Sequence, residues 1–318
     1  MKFKKFLLSI SLISSILVGC GSTSTEKENK ENVKVENNEN TDNTDTPQQN
    51  VEQQKKISVA SVAISQILSD MNVDIVGRPT TKLTLPNEYL DVAEIGSSFS
   101  PDFEKVLSVG TELLIGDTMF KDKIEKTAQE YGIETFYVDT STYEEFLSSI
   151  DMLGKKIGKE KEATEIIEKF KKPLNDMTDI NKDIKVAIIM GSSESNMLAT
   201  ENTYIGSLVK ALGVKNIATE VINNGDNPLQ VDPNGYINLN LEQLLKNEPD
   251  IILAFGHGNM DSTKKAFEQL FNENPALKSL TAVKNNKVYY LDSAIFGTSA
   301  NNVVDKALIE LGEILNEN

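Results

Sequence analysis

Beyond about residue 56, short apolar runs alternate with stretches in which apolar residues recur every three or four positions. That alternation predicts an α/β fold. Strands are expected at residues 56–60, 73–77, 112–115, 135–138, 185–190, 250–255 and 287–291. Several of these runs are continuously apolar, as suits strands of a parallel sheet covered on both faces. Helix starts are marked as clearly. Ser100-Pro101-Asp102 offers a cap, a first-turn proline and an acid ahead of Phe103. Thr142-Tyr143-Glu144-Glu145 fits a capping box, and Asn240 stands where it caps Leu241 to Asn247.

One unit of this pattern occurs twice. Glu104-Lys105-Val106-Leu107 leads into Glu112-Leu113-Leu114-Ile115-Gly116, and Glu242-Gln243-Leu244-Leu245 leads into Asp250-Ile251-Ile252-Leu253 with Gly256 beyond. The repetition suggests two similar lobes, each a mostly parallel sheet flanked by helices. Between them, Ala163, Ile166, Ile167 and Phe170 share one face of a Lys/Glu-rich helix. Pro173 predicts a kink or an end to that helix. The expected division is residues 56–158 for the first lobe, 159–181 for one long rigid linking helix and 182–318 for the second lobe.

The first twenty residues have a different pattern. Lys2, Lys4 and Lys5 precede an apolar run from Phe6 to Val18, which has the shape of a secretory signal and is short for a membrane span. Leu17-Val18-Gly19-Cys20 resembles the lipobox of bacterial lipoproteins, which implies a signal peptide at 1–19 and a lipidated Cys20. Residues 20–55 then hold few apolar side chains and cannot offset the entropy of ordering. They predict a disordered tether with a reach of roughly 30–35 Å. Together these features place the protein on the extracellular face of the cell membrane.

Composition narrows the chemistry. The chain holds 48 acidic and 32 basic residues, a formal charge of −16, and loss of the three leader lysines takes this to about −19. Nucleic acid is therefore not an expected partner, since phosphate contacts need clustered Lys and Arg. Cys20 and His257 are the sole cysteine and histidine. The body has no cysteine nucleophile and no second histidine to act as base for a serine, and a protein-only zinc site lacks ligands. No enzyme is expected. In open parallel sheets ligands sit beyond the carboxyl ends of strands. The loops to inspect are thus 96–100, 116–119, 191–197, 256–260 and 293–299. His257 lies in one of them, between Gly256 and Gly258. A neutral imidazole there is a metal or haem-iron ligand or, equally, a solvated loop side chain.

From residue 56 onward the sequence resembles the binding proteins of ABC importers for iron-siderophores, cobalamin and haem, and within them the lipoprotein haem receptors. The resemblance is carried by Val62-Ala63-Ile64-Ser65-Gln66-Ile67, Val76-Gly77-Arg78-Pro79-Thr80, Gly96 with Pro101-Asp102-Phe103-Glu104, and Leu198-Ala199-Thr200-Glu201 with Tyr204-Ile205-Gly206. Asn247-Glu248-Pro249-Asp250-Ile251-Ile252-Leu253 with His257-Gly258, Ala282-Val283-Lys284-Asn285 and Phe296-Gly297-Thr298 complete it. It implies haem held between two lobes, with His257 as axial iron ligand, and delivery to a permease with its ATPase. The alternatives are a ferric siderophore or cobalamin as cargo, or a surface lipoprotein that feeds no transporter. The family's methionine ligand falls on Phe99, which packs on a porphyrin but does not coordinate. Met119 and Met197 are expected as pocket walls and Arg78, the sole arginine, as a propionate partner. The resemblance also implies an acidic docking residue on each lobe, Glu104 on the first and Glu201, ahead of Glu220, on the second. A monomer is expected.

Overall fold

The computed structural model describes residues 55–191, 196–223, 230–256 and 260–316. The first lobe carries β1 (Ile57–Val59), β2 (Gly77–Arg78), β3 (Ala93–Glu94), β4 (Gly96–Ser97), β5 (Ser100–Pro101), β6 (Leu113–Asp117) and β7 (Glu134–Val138). Five of these form a parallel sheet in the order β3-β2-β1-β6-β7, and β4 and β5 make a separate hairpin. Its helices are α1 (Val62–Asp70), α2 (Phe103–Ser108), α3 (Lys121–Glu130), α4 (Tyr143–Ile157) and α5 (Glu160–Asp176).

The second lobe carries β8 (Lys185–Gly191), β9 (Asn196–Ala199), β10 (Lys215–Asn216), β11 (Tyr236–Asn238), β12 (Ile251–Gly256) and β13 (Val288–Tyr290). They run β11-β9-β8-β12-β13, with β10 also paired to β8 and with β9 antiparallel to both its neighbours. Its helices are α6 (Tyr204–Ala211), α7 (Ile217–Asn223), α8 (Leu241–Asn247), α9 (Met260–Glu273), α10 (Thr281–Lys284) and α11 (Val304–Asn316). The two copies of the repeated unit are α2–β6 and α8–β12. Each of these strands pairs with the first strand of its own lobe, β1 or β8.

Strand side chains alternate between faces, so each sheet feeds two cores. In β12, Ile251, Leu253 and Phe255 face one core while Ile252 and Ala254 face another. In β6, Leu113 and Ile115 face the same core as Ile251, and Leu114 faces the outer side of the first lobe. The core between the sheets is thus shared. It is filled by Phe146, Ile150 and Leu153 of α4, Ala163, Ile166 and Phe170 of α5, Leu208 of α6 and Leu308 and Leu311 of α11, all buried. The Phe146 and Phe170 rings stack with centroids 6.2 Å apart.

Hydrogen bonds cross between the lobes at the edges of this core. Ala300 N–H donates to the Thr140 carbonyl at 2.8 Å, and Tyr143 N–H donates to Ser207 Oγ at 2.8 Å. On the other side Lys169 Nζ lies 3.7 Å from Asp305, and Asn302 donates to Asp70 at 3.4 Å. Burial holds the Asp70 carboxyl above its ordinary range, against the opposing pull of Lys169 and Asn302.

Three local expectations need correction. The run at 73–77 is mostly loop: Val73 and Ile75 are buried, but pairing begins only at Gly77. Asp102, not Ser100, caps α2, its carboxylate accepting the Lys105 N–H, while Ser100 and Pro101 belong to the hairpin. The linking helix expected over 159–181 is α5, which stops at Asp176 with Pro173 inside its last turns. A proline so near a helix end removes a single bond and leaves one turn to follow, and its buried ring joins the packed face. Thr142 and Asn240 cap α4 and α8 as expected.

Because Phe170 is fully buried in the shared core, Phe170→Ala is expected to cost about 3–5 kcal/mol of stability. Calorimetry should show a single transition at lower temperature. Two resolved transitions in the wild-type protein would show that the lobes do not share a cooperative core.

Candidate ligand-binding site

Both sheets reverse their winding direction beside their first strand. In the first lobe the switch lies between β1 and β6, and in the second between β8 and β12. Crevices open at the carboxyl ends of strands at such points. In the second lobe the two strands end level, with Gly256 in register with Gly191. His257 is the next residue in sequence. It lies outside the described residues, as does Cys20.

The first lobe's rim is fully described. β6 is buried from Leu113 to Asp117 and ends in a one-turn helix, Thr118–Phe120. Asp117 holds that turn in place. One carboxylate oxygen accepts the Met119 N–H at 2.9 Å, and the other accepts Thr140 Oγ1 at 2.6 Å. Burial pushes the Asp117 carboxyl up from its ordinary range, the two hydrogen bonds oppose this, and nearby Asp139 adds to it. Since the Thr140 carbonyl also receives Ala300 N–H, the rim of the first lobe is tied to the second.

Beside this turn stands the hairpin β4–β5, whose two-residue bend is Ser98-Phe99. Gly96 at its base has φ +100°, and a Cβ there would sit 2.7 Å from the Asp102 nitrogen, so the close approach requires glycine. The hairpin presents Phe99 at 57% exposure, and Met119 is 52% exposed. The Phe99 and Phe120 rings lie 6.4 Å apart, tilted by 58°. The structure thus brings Phe99 and Met119 to one rim and adds Phe120. Phe120 was not singled out from the sequence. The signal was Asp117-Thr118, an acid at the end of an apolar run and so a turn-former.

Arg78 is otherwise occupied. Its guanidinium donates to the carbonyls of Val92, Pro79 and Leu90 at 3.0, 3.3 and 3.2 Å and meets Glu94 at 3.1 Å. Those bonds staple the segment from Pro79 to Glu94 and leave no free fork for a ligand carboxylate. Met197 is a strand residue of β9, level with Met190 and Asn238 and packed against the shared core. Glu104 is exposed in the first turn of α2. Glu201 accepts Thr219 Oγ1 at 2.9 Å and pairs with Lys210 at 3.3 Å, and Glu220 pairs with Lys185 at 3.5 Å. Among the described residues no group of three His, Cys, Asp or Glu is placed to hold a metal ion.

Residues 57–295 match the periplasmic binding protein family. The chain is 30% identical to the high-affinity heme uptake system protein IsdE of Staphylococcus aureus over 99% of its length and 98% of that protein's. In structure it is similar to an ABC transporter substrate-binding protein from Listeria monocytogenes EGD-e, with a TM-score of 0.71 and 29% identity over 83% of this chain and all of that one. It is also similar to S. aureus IsdE complexed with heme, with a TM-score of 0.68 and 32% identity over 82% of this chain and 98% of that one. These relatives share the two-lobe fold and are binding proteins, not enzymes. A two-lobe α/β body with switch-point crevices and a match across three quarters of its length place the chain in the periplasmic binding protein family.

Proposed function

We propose that this chain captures haem outside the cell and delivers it to the permease and ATPase of an ABC importer. The observation that carries this reading is the end of β12 at the second lobe's switch point, where the next residue in sequence is the chain's only histidine. A neutral imidazole from that loop ligates the iron of the cargo, and its second nitrogen is oriented by an acceptor. The first lobe offers the opposite face of the cargo no thioether at Phe99. It offers an apolar surface, with Phe99 and Met119 more than half exposed. The cargo of the heme-complexed relative and the full-length identity to a heme uptake protein support the same choice. A polyanionic siderophore is less well served, because the sole arginine is spent within its own lobe.

The remaining parts of the proposal concern delivery. Lobes at 56–158 and 182–318, joined through 159–181, stand above the membrane on the tether 20–55, with acyl chains on Cys20. Stable anchoring takes about two chains. No helix among the described residues is long and apolar enough to cross a membrane. Glu104, which has no ion pair among the described residues, meets a basic patch of the permease from the first lobe. Glu201 serves the second lobe once released from Lys210. The protein acts as a monomer.

Absorbance titration with haemin, cobalamin and a siderophore panel tests the cargo. His257→Ala is expected to weaken haemin binding by more than the roughly 10–100-fold that loss of an outer-shell partner of a metal ligand costs, and to change the Soret band. An unchanged Soret band would show the histidine to be a bystander. Phe99→Met is expected to shift the ferric spectrum toward a low-spin form with two axial ligands.

Fractionation tests the anchor. Cys20→Ser should move the protein from the membrane fraction to the medium, and retention in the membrane would refute lipidation at this site.

A further inference from the structure

We propose that the first lobe receives its cargo on an aromatic platform built from Phe120 together with Phe99, and that Lys123 is the cation that meets a carboxylate on the cargo's edge. This rests on the haem reading above and assigns the contacts of the face opposite His257.

The platform is built, not incidental. Phe120 packs its inner side against the outer core of the first lobe, beside Val106 and Ile124. Its ring meets Phe99 on the hairpin, so two separate segments converge on one surface. Asp117 fixes the turn that carries Phe120 through the Met119 N–H, and the buried Thr140 hydroxyl fixes Asp117 in turn. An exposed ring at a two-residue bend loses little conformational entropy when a flat apolar ligand covers it, because the bend is already ordered.

The cation follows from the same geometry. Lys123 Nζ lies 5.9 Å from the centroid of the Phe120 ring and is exposed on the first turn of α3. Among the described residues no carboxylate lies within ion-pair distance of it. Its neighbour Lys121 is shared between Glu125, at 3.7 Å, and the face of Tyr137, at 5.6 Å. Arg78 is stapled to its own loop. Of these three cations near the rim, Lys123 alone combines an unpaired ammonium with contact to the apolar platform. A flat ring with carboxylates along one edge matches this pairing of aromatic surface and marginal positive charge, as a porphyrin with its propionates does.

The test compares haemin with its dimethyl ester, in which the propionates carry no charge, by absorbance titration of the full lipid-free chain. Lys123→Gln is expected to weaken haemin about fivefold, the scale of an exposed ion pair, and to leave the ester unaltered. Lys123→Arg should restore haemin binding. Phe120→Leu keeps the core filled and should weaken both ligands alike, by about threefold to fivefold, since ring contact is lost to each. The Soret position should stay constant throughout, because no iron ligand is touched. Wild-type haemin binding in Lys123→Gln, or equal losses of haemin and ester, would overturn the assignment of Lys123. Unchanged binding of both ligands in Phe120→Leu would overturn the platform. If the wild-type protein bound neither ligand, the haem reading itself would fall and take this inference with it, an outcome distinct from failure in a binding-competent protein.

Discussion

The fold depends on one shared apolar layer. Each sheet gives one face to the same apolar cluster, which also takes in residues of α4, α5, α6 and α11, so neither lobe owns its inner core. To swing the lobes apart, the chain would expose side chains such as Phe146, Phe170 and Leu308, each worth roughly 1.5–3 kcal/mol of burial. The Tyr143–Ser207 and Thr140–Ala300 bonds would break with them. Moving the two carboxyl-edge rims apart therefore carries the cost of uncovering that layer. A ligand that fits two rims already in place loses little of its binding energy to closing them.

That constraint shifts the burden of selectivity onto the rims. In the function proposed above, side chains at the edges of the crevice, more than backbone movement, decide what it accepts. The first lobe's rim is anchored through Asp117, whose carboxylate joins the Met119 turn to Thr140 and, through the Thr140 carbonyl, to Ala300 of the second lobe. Burying a carboxylate is costly unless both oxygens are satisfied, and here both are. What this secures is position: the exposed Met119 stands on the turn that this network holds, and the exposed Phe99 lies beside that turn, against Phe120.

Much of this architecture was legible because long apolar strands leave a strong period. β8 and β12 read as unbroken apolar runs, since Val186 and Ile188 serve one core while Ala187 and Ile189 serve another. The cap residues Thr142 and Asn240 were equally plain, because their chemistry acts within three residues. What escaped depended on distant partners. β9 and β11 mix polar and apolar residues, and pair only because β8 offers β9 a neighbour. The β4–β5 hairpin is built of Gly, Ser and Pro, and its strand pairing has no apolar period at all. The rim was half visible. Phe99 stood out through the family resemblance, but its partner Phe120 sits twenty-one residues away and is joined to it only by the fold.

Arg78 shows the limit most clearly. A lone arginine in a chain of charge −16 draws attention as an anion receptor. Its actual neighbours are three carbonyls and Glu94, all within its own lobe, and its side chain is only 14% exposed. A planar fork of five donors is as well suited to gathering backbone carbonyls as to gripping a carboxylate. Which use prevails is set by the loop that must be fastened. The segment from Pro79 to Val92 has little regular structure, and its carbonyls need donors. In the reading proposed above, the exposed Lys123 meets the ligand's edge instead, its ammonium lying 5.9 Å from the centroid of the Phe120 ring. The scarce arginine is thereby committed to structure, and in the reading proposed above a commoner lysine serves recognition.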